Sequence, residues 1–205
     1  MRKKNLLPFI SCFLLATAFQ NSAFSQVKGP SSSQTPYLLP AAPGVQVTSI
    51  LTTPDIIGGY KMCGTPDGTG AFDNGNGTFT LVVNHEFGNT AGVTRAHGSI
   101  GAFVSKWVIN KSNLSVVSGS DLIQNVKLWN GSGYTIYNAA NPSTLTRFNR
   151  LCSADLPVVS AFYNNASGKG TLERIFMNGE EAGNEGRSFA HIIPGANAGT
   201  SYELP

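Results

Sequence analysis

Charge is scarce in this chain: Asp, Glu, Lys and Arg make up only 12% of 205 residues. No basic patch and no interleaving of aromatic with basic residues can be found, so nothing supports nucleic-acid binding. Helical periodicity is missing too. No segment holds a 3.6-residue apolar period for three turns, which argues against a βαβ fold. Long apolar runs are confined to the N-terminus, where the single run is too short for a comfortable membrane span and no second one follows. Cysteine is nearly absent, with three residues in all.

The N-terminal run reads instead as an export signal. Arg2, Lys3 and Lys4 form a basic start, "LLPFISCFLLATAF" is the apolar centre, and Ala23-Phe24-Ser25 is a small-x-small cleavage site, so residues 1–25 are expected to be removed and the protein to be secreted or periplasmic. Their removal takes three of the 14 Lys+Arg and none of the 11 Asp+Glu, leaving a formally neutral chain. It also takes Cys12. Cys63 and Cys152 remain, and in an oxidising compartment a disulfide between them and a metal-ligand thiolate at one of them are both open.

What the sequence does have is strand and turn chemistry. Residues 26–44, "QVKGPSSSQTPYLLPAAPG", are Pro/Ser-rich and read as a linker or extended arm. From Val45 come short apolar or alternating runs: "VQVTSILT", "TFTLVVN", "GAFVSKWVIN", "SVVSG", "VKLWN", "YTIYN", "PVVSAFY", "TLERIFM" and "RSFAHII". They are separated by turns such as "DNGNGT". This pattern predicts an all-β domain: a sandwich, a barrel or a propeller. The chain stops at "GTSYELP", just after a strand-like run and at the start of a connection, which reads as a fragment of something larger.

Three places concentrate chemistry. "LVVNHEFGN" sets Asn84, His85 and Glu86 after an apolar strand, where alternation sends Asn84 and Glu86 to one side and His85 to the other. Amide and carboxylate oxygens on one side suit a hard cation such as calcium; the plainer reading is a solvent-facing strand end with His85 capping a turn. "MNGEEAGNEG" packs Glu180, Glu181 and Glu185 among glycines, an arrangement explained by a cation or by a solvated acidic loop. "NRLCSADLP" holds Cys152 with Asp155 nearby, and a thiolate beside carboxylates favours a transition metal such as iron or zinc over calcium alone. Cys63, in a Gly-rich loop, is the weaker ligand candidate.

Taken in order, "VVNHEF", "GSIGAFVSKWVINKSNLSVVSG", "NRLCSADLP" and "NGEE" resemble the N-terminal part of PhoX-type secreted alkaline phosphatases, over roughly Pro54 to Ile193. That resemblance implies a multi-bladed β-propeller that hydrolyses phosphate monoesters at a central site of iron and calcium. Carried over by position, Cys152 resembles the cysteine that bridges the irons and Glu181, with Glu180 beside it, a carboxylate ligand; Asn84 and Glu86 fall near the calcium side. The mature length suits two or three blades where a closed propeller has typically four to eight. Residues 45–205 are therefore expected to be the N-terminal portion of such a domain, inactive alone. The contrasting expectation is a secreted, non-catalytic β-propeller that binds ligands or partners and carries a Cys63–Cys152 disulfide.

Overall fold

The structure is a computed structural model that describes residues 25–205. The expected export signal therefore lies, apart from Ser25, outside the described residues. The fold is all-β as expected, and among the described residues the helical content is three short 3₁₀ turns.

The N-terminal arm is more tightly held than its composition suggests. Strand β1 (Ser25–Lys28) pairs in parallel with β2 (Gln46–Ser49). Between them Ser32 is buried, its Oγ 2.8 Å from Thr52 Oγ1, and the amide of Ser33 donates to the Asp55 carboxylate. Ser31 Oγ accepts from the amide of Val116 at 2.9 Å, tying the arm to a distant strand. The linker or arm expected at residues 26–44 is held against the fold at its serines, whose oxygens satisfy backbone donors that would otherwise be left open. A small hairpin of β3 (Ile56–Ile57) and β4 (Tyr60–Lys61) follows.

The first main sheet is an antiparallel meander of β5 (Pro66–Asp73), β6 (Thr78–His85), β7 (Phe103–Asn110) and β8 (Val116–Asp121). The β5–β6 turn is the "DNGNGT" cluster. Gly75 and Gly77 adopt positive φ there, while Asp73 and Asn76 side chains accept from the amides of Gly75 and Thr78. Both faces of this sheet are covered. On one, Trp107, Ile109, Val83 and Val116 pack with Met62 and the partly buried Ile50, Leu51, Ile57 and Tyr60 of the preceding segment.

The other face meets the second sheet. Strands β9 (Asn125–Trp129) and β10 (Tyr134–Asn138) form a hairpin, and β11 (Leu151–Asp155) lies at the far edge. A two-stranded flap of β12 (Tyr163–Asn164) and β13 (Lys169–Gly170) intervenes before β14 (Ile175–Glu180), β15 (Ser188–Ile192) and β16 (Thr200–Leu204). The order is β10-β9-β16-β15-β14-β11, antiparallel throughout except for the parallel β16–β9 pair. Val82 and Val104 of the first sheet, Val126, Leu151, Phe176 and Phe189 of the second, and Phe148 between them form one buried cluster. This apolar layer sets β5 and β6 against β11, which is where the candidate site lies.

Two local expectations are corrected. "PVVSAFY" is not a strand up to Tyr163: Val159–Phe162 form a 3₁₀ turn with no buried residue, so nothing holds these apolar residues in a sheet. "GTSYELP" is not the start of a connection, because Thr200–Leu204 is a paired strand.

Candidate metal centre

Two β-bulges face each other where β5 passes β11. On β5, Pro66 pairs with His85 and Thr69 with Val83, so three steps along β5 oppose two along β6 and the extra residue falls at Asp67–Gly68. On β11, Leu151 pairs with Glu180 and Ala154 with Asn178, which places a second extra residue at Cys152–Ser153. A bulge leaves backbone groups out of the ladder and re-aims a side chain. Close approach of the two strands requires the glycine next to Asp67, since a Cβ on Gly68 would lie 2.5 Å from the Cys152 carbonyl oxygen and 2.6 Å from Ala154 Cβ.

The bulges bring Asp67 and Cys152 together. The Cys152 thiol donates to Asp67 Oδ2 at 3.0 Å, and Glu86, one residue beyond β6, completes a group whose possible ligand atoms all lie within 4.8 Å of one another. Glu86 is held by its own amide, which donates to the Thr65 carbonyl at 2.9 Å. The hydrogen bond to Asp67 pushes the Cys152 thiol up to about 11; partial burial and the charges of Asp67, Glu181 and Glu86 add to this. Negative charge is thus collected around a thiol, and among the described residues no Lys, Arg or His forms an ion pair with Asp67 or Glu86.

Glu181 directly follows β14, and its charge acts on the Cys152 thiol from outside that group. Its amide donates to the Arg150 carbonyl at 2.9 Å, and the Arg150 guanidinium returns two hydrogen bonds to the Glu181 carbonyl, at 2.8 and 3.1 Å. Arg150 takes a positive φ of 46°, a conformation that costs a non-glycine residue of order 1 kcal/mol or more and that surrounding contacts must hold. Its Nη1 is 3.7 Å from Glu181 Oε2, and both side chains are about half exposed.

Glu180 is corrected as a ligand. Its side chain is 3% exposed and accepts from Arg187 Nη2 at 2.7 Å and Nε at 2.8 Å, as well as from the amides of Asn149 and Arg187. Those donors occupy both oxygens, leaving no lone pair directed at a cation. Glu185 lies in an exposed 3₁₀ turn, and Asp155 is outside the group that holds Cys152.

Asn84 is corrected in the same way. It is fully buried, with Oδ1 accepting from Asn178 Nδ2 at 2.9 Å and Nδ2 donating to the carbonyls of Cys152 at 3.0 Å and Ser153 at 3.4 Å. Its two functional atoms are thus spent on protein partners. His85 is also fully buried rather than capping a turn at the surface. Its Nδ1 donates to the Cys63 carbonyl at 2.6 Å, and its Nε2 accepts from Ser105, whose oxygen accepts in turn from Trp107 Nε1. Burial lowers this imidazole to about 4, so the ring is neutral.

Among the described residues Cys63 and Cys152 are both free, with no disulfide between them. Cys63 Sγ accepts from Arg95 Nη2 at 3.1 Å, on the opposite side of the first sheet from Asn84. Sequence reasoning missed Asp67. The signal it carried was the Gly-x-Gly spacing in "PDGTGAFD": glycines two apart lie on one face of a strand, where another backbone passes close. No family model, no curated protein and no solved structure matches the chain.

Proposed function

We propose that this chain carries a cation-binding centre of a secreted or periplasmic, PhoX-like metal-dependent phosphatase, with Cys152, Asp67 and Glu86 as the protein ligands and Glu181 at the rim. The observation that carries the reading is the convergence of a thiol and two carboxylates within 4.8 Å, delivered by three strands and two opposed bulges. A cation fits this donor set because it removes the carboxylate repulsion and stabilises the thiolate that the carboxylates otherwise suppress. A soft thiolate among hard oxygens favours iron or another transition metal, with calcium held by carboxylate oxygens alone.

When bound, such an ion supplies Lewis-acid neutralisation of phosphoryl oxygens. The chain's own contribution is to hold the ligands. The bulges aim Cys152 and Asp67, the Thr65 carbonyl fixes Glu86, and Arg150 fixes the Glu181 backbone. The meander β5–β8, and the antiparallel set β11-β14-β15-β16, support a propeller reading because four-stranded antiparallel sheets are the unit of that architecture.

The test is the iron and calcium content of the protein purified from its natural host, with hydrolysis of an aryl phosphate monoester alongside. Wild type is expected to retain iron, and Cys152→Ser to lose iron and hydrolysis together. Iron content and activity unchanged in Cys152→Ser and Asp67→Asn would overturn the assignment.

A further inference from the structure

A buried polar relay runs from the last strand of the second sheet to the bulge that carries the thiol. Ser201 on β16 donates to His191 Nδ1 at 2.8 Å; His191 Nε2 donates to Asn178 Oδ1 at 2.8 Å; Asn178 Nδ2 donates to Asn84 Oδ1 at 2.9 Å; and Asn84 Nδ2 reaches the Cys152 and Ser153 carbonyls. Every side chain in it is buried. The order of donors is forced. Asn84 must present its NH₂ to carbonyls, so its oxygen accepts; Asn178 must then give its NH₂, so its own oxygen takes the His191 proton. His191 is left neutral with its single proton on Nε2, in keeping with a position where burial, with His97 adding to it, lowers the ring to about 3.

We infer that Asn84 is a positioning residue that sets the β11 bulge and so aims the Cys152 side chain at Asp67 and Glu86. Three observations meet at this one amide. It lies on β6 opposite the β5 bulge, between the Pro66–His85 and Thr69–Val83 pairs. Its donors go to the two carbonyls of the β11 bulge, between the paired residues Leu151 and Ala154. Its acceptor is fixed by Asn178, the β14 residue that pairs with Ala154 where the ladder resumes. Without the Asn84 N–H groups two bulge carbonyls lose a buried donor, and the bulge relaxes toward regular pairing with β14. A one-residue change of register on β11 turns its side chains to the opposite face and takes the thiol away from Asp67.

This inference deepens the metal reading and rests on it for its purpose, but part of its test needs no metal. In the full chain carrying Cys12→Ser and Cys63→Ser, the rate at which iodoacetamide alkylates Cys152 is measured at one fixed, mildly alkaline pH without added metal. Asn84→Ala should raise that rate by about tenfold, because the thiol leaves its hydrogen bond to Asp67 and its carboxylate neighbours. Val82→Ala, a core truncation off the relay, should lower thermal stability and leave the rate unchanged. Asn84→Asp keeps size and the oxygen that accepts from Asn178 but loses the donor, and should raise the rate as Asn84→Ala does if the latter does not fold. Ser201→Ala, at the far end, should give a smaller change in the same direction.

The second readout is the cobalt(II)–thiolate absorption band, from which affinity is titrated. Asn84→Ala and Asn84→Asp should weaken cobalt binding by about 10- to 100-fold, the usual loss when a residue orienting a ligand is removed. Folded Asn84 variants with the parent's alkylation rate and cobalt affinity would overturn the positioning role. A parent chain that shows no cobalt–thiolate band, while Asn84→Ala still changes the alkylation rate, would sink the metal reading and leave the positioning role standing.

Discussion

Adjacent glutamates have opposite fates here. Glu180 completes a largely buried, two-pronged pair with Arg187, whereas Glu181 stays more than half exposed near Arg150. Glu180→Ala leaves a guanidinium and two amides without their acceptor, and is expected to cost about 3 kcal/mol in denaturant unfolding. Glu181→Ala should fall within about 0.5 kcal/mol of wild type in the same experiment. The sequence marked this pair as important without saying which member was buried. Residue type and spacing show that two neighbours on a strand point apart, but not which face a partner 31 residues away will cover, as the amide of Asn149 does for Glu180. The same limit explains Asn84, whose burial depends on β11 and β14, and Asp67, whose role depends on a bulge opposite it. The buried imidazoles add a pH signature. His85 and His191 are lowered to about 4 and about 3 from an ordinary 6.5, and burial lowers His97 as well. Between pH 6.5 and 4 the unfolded chain binds more protons than the folded one, so stability is fully present above 6.5 and falls as acid is added. His85 and His191 each contribute up to about 1.4 kcal/mol per pH unit in that window. Urea midpoints measured from pH 7.5 to 4.5 should decline steeply below 6.5; a flat profile would contradict neutral buried histidines.

At the scale of elements, strands with apolar alternation were legible and strands built on close approach were not. "TFTLVVN", "GAFVSKWVIN" and "RSFAHII" announce β6, β7 and β15 because their buried faces are apolar. β5 and β11 are hidden because their close approach selects small residues: Gly68 lies against Ala154 and the Cys152 carbonyl, and Gly70 leaves room for Leu156 just beyond β11. β16 is hidden because its buried positions include Thr200 and Ser201, the latter serving His191. A direct check is Gly68→Ala. Its Cβ meets backbone and a neighbouring Cβ inside 2.8 Å, so β5 must move off β11. A loss of about 1–3 kcal/mol is expected, with the Cys152–Asp67 contact broken. Gly133→Ala, which has open space within 4 Å and no positive φ, should change stability by less than about 0.5 kcal/mol.

For the whole molecule, the shared apolar layer makes the two sheets one cooperative unit. Phe189 and Phe176 of the second sheet are buried with Val82 and Val104 of the first. Phe189→Ala should therefore destabilise both sheets together, by about 3–5 kcal/mol, and fluorescence and far-ultraviolet circular dichroism should report one coincident transition. Ligand linkage acts on the same unit. Cobalt(II) at about 100 times its dissociation constant should add about 2.7 kcal/mol, an effect that chelator removes and that weakens as pH falls, because the Cys152 proton must leave before the sulfur can bind.

The central placing of β16 has a consequence for the order in which this protein comes together. Of the strands in the second sheet it is the last to be synthesised, yet it sits between β9 and β15. Until it arrives, the β9–β10 hairpin on one side and the β14–β15 hairpin on the other have no common neighbour, and each presents an open edge. Assembly cannot proceed outward from an early nucleus in this half of the molecule; it waits for an insertion that joins segments far apart in the chain, a slow kind of step that leaves bare edges available to other chains meanwhile. The same insertion delivers Ser201 to His191, so the polar wiring behind the thiol is finished only when the sheet is.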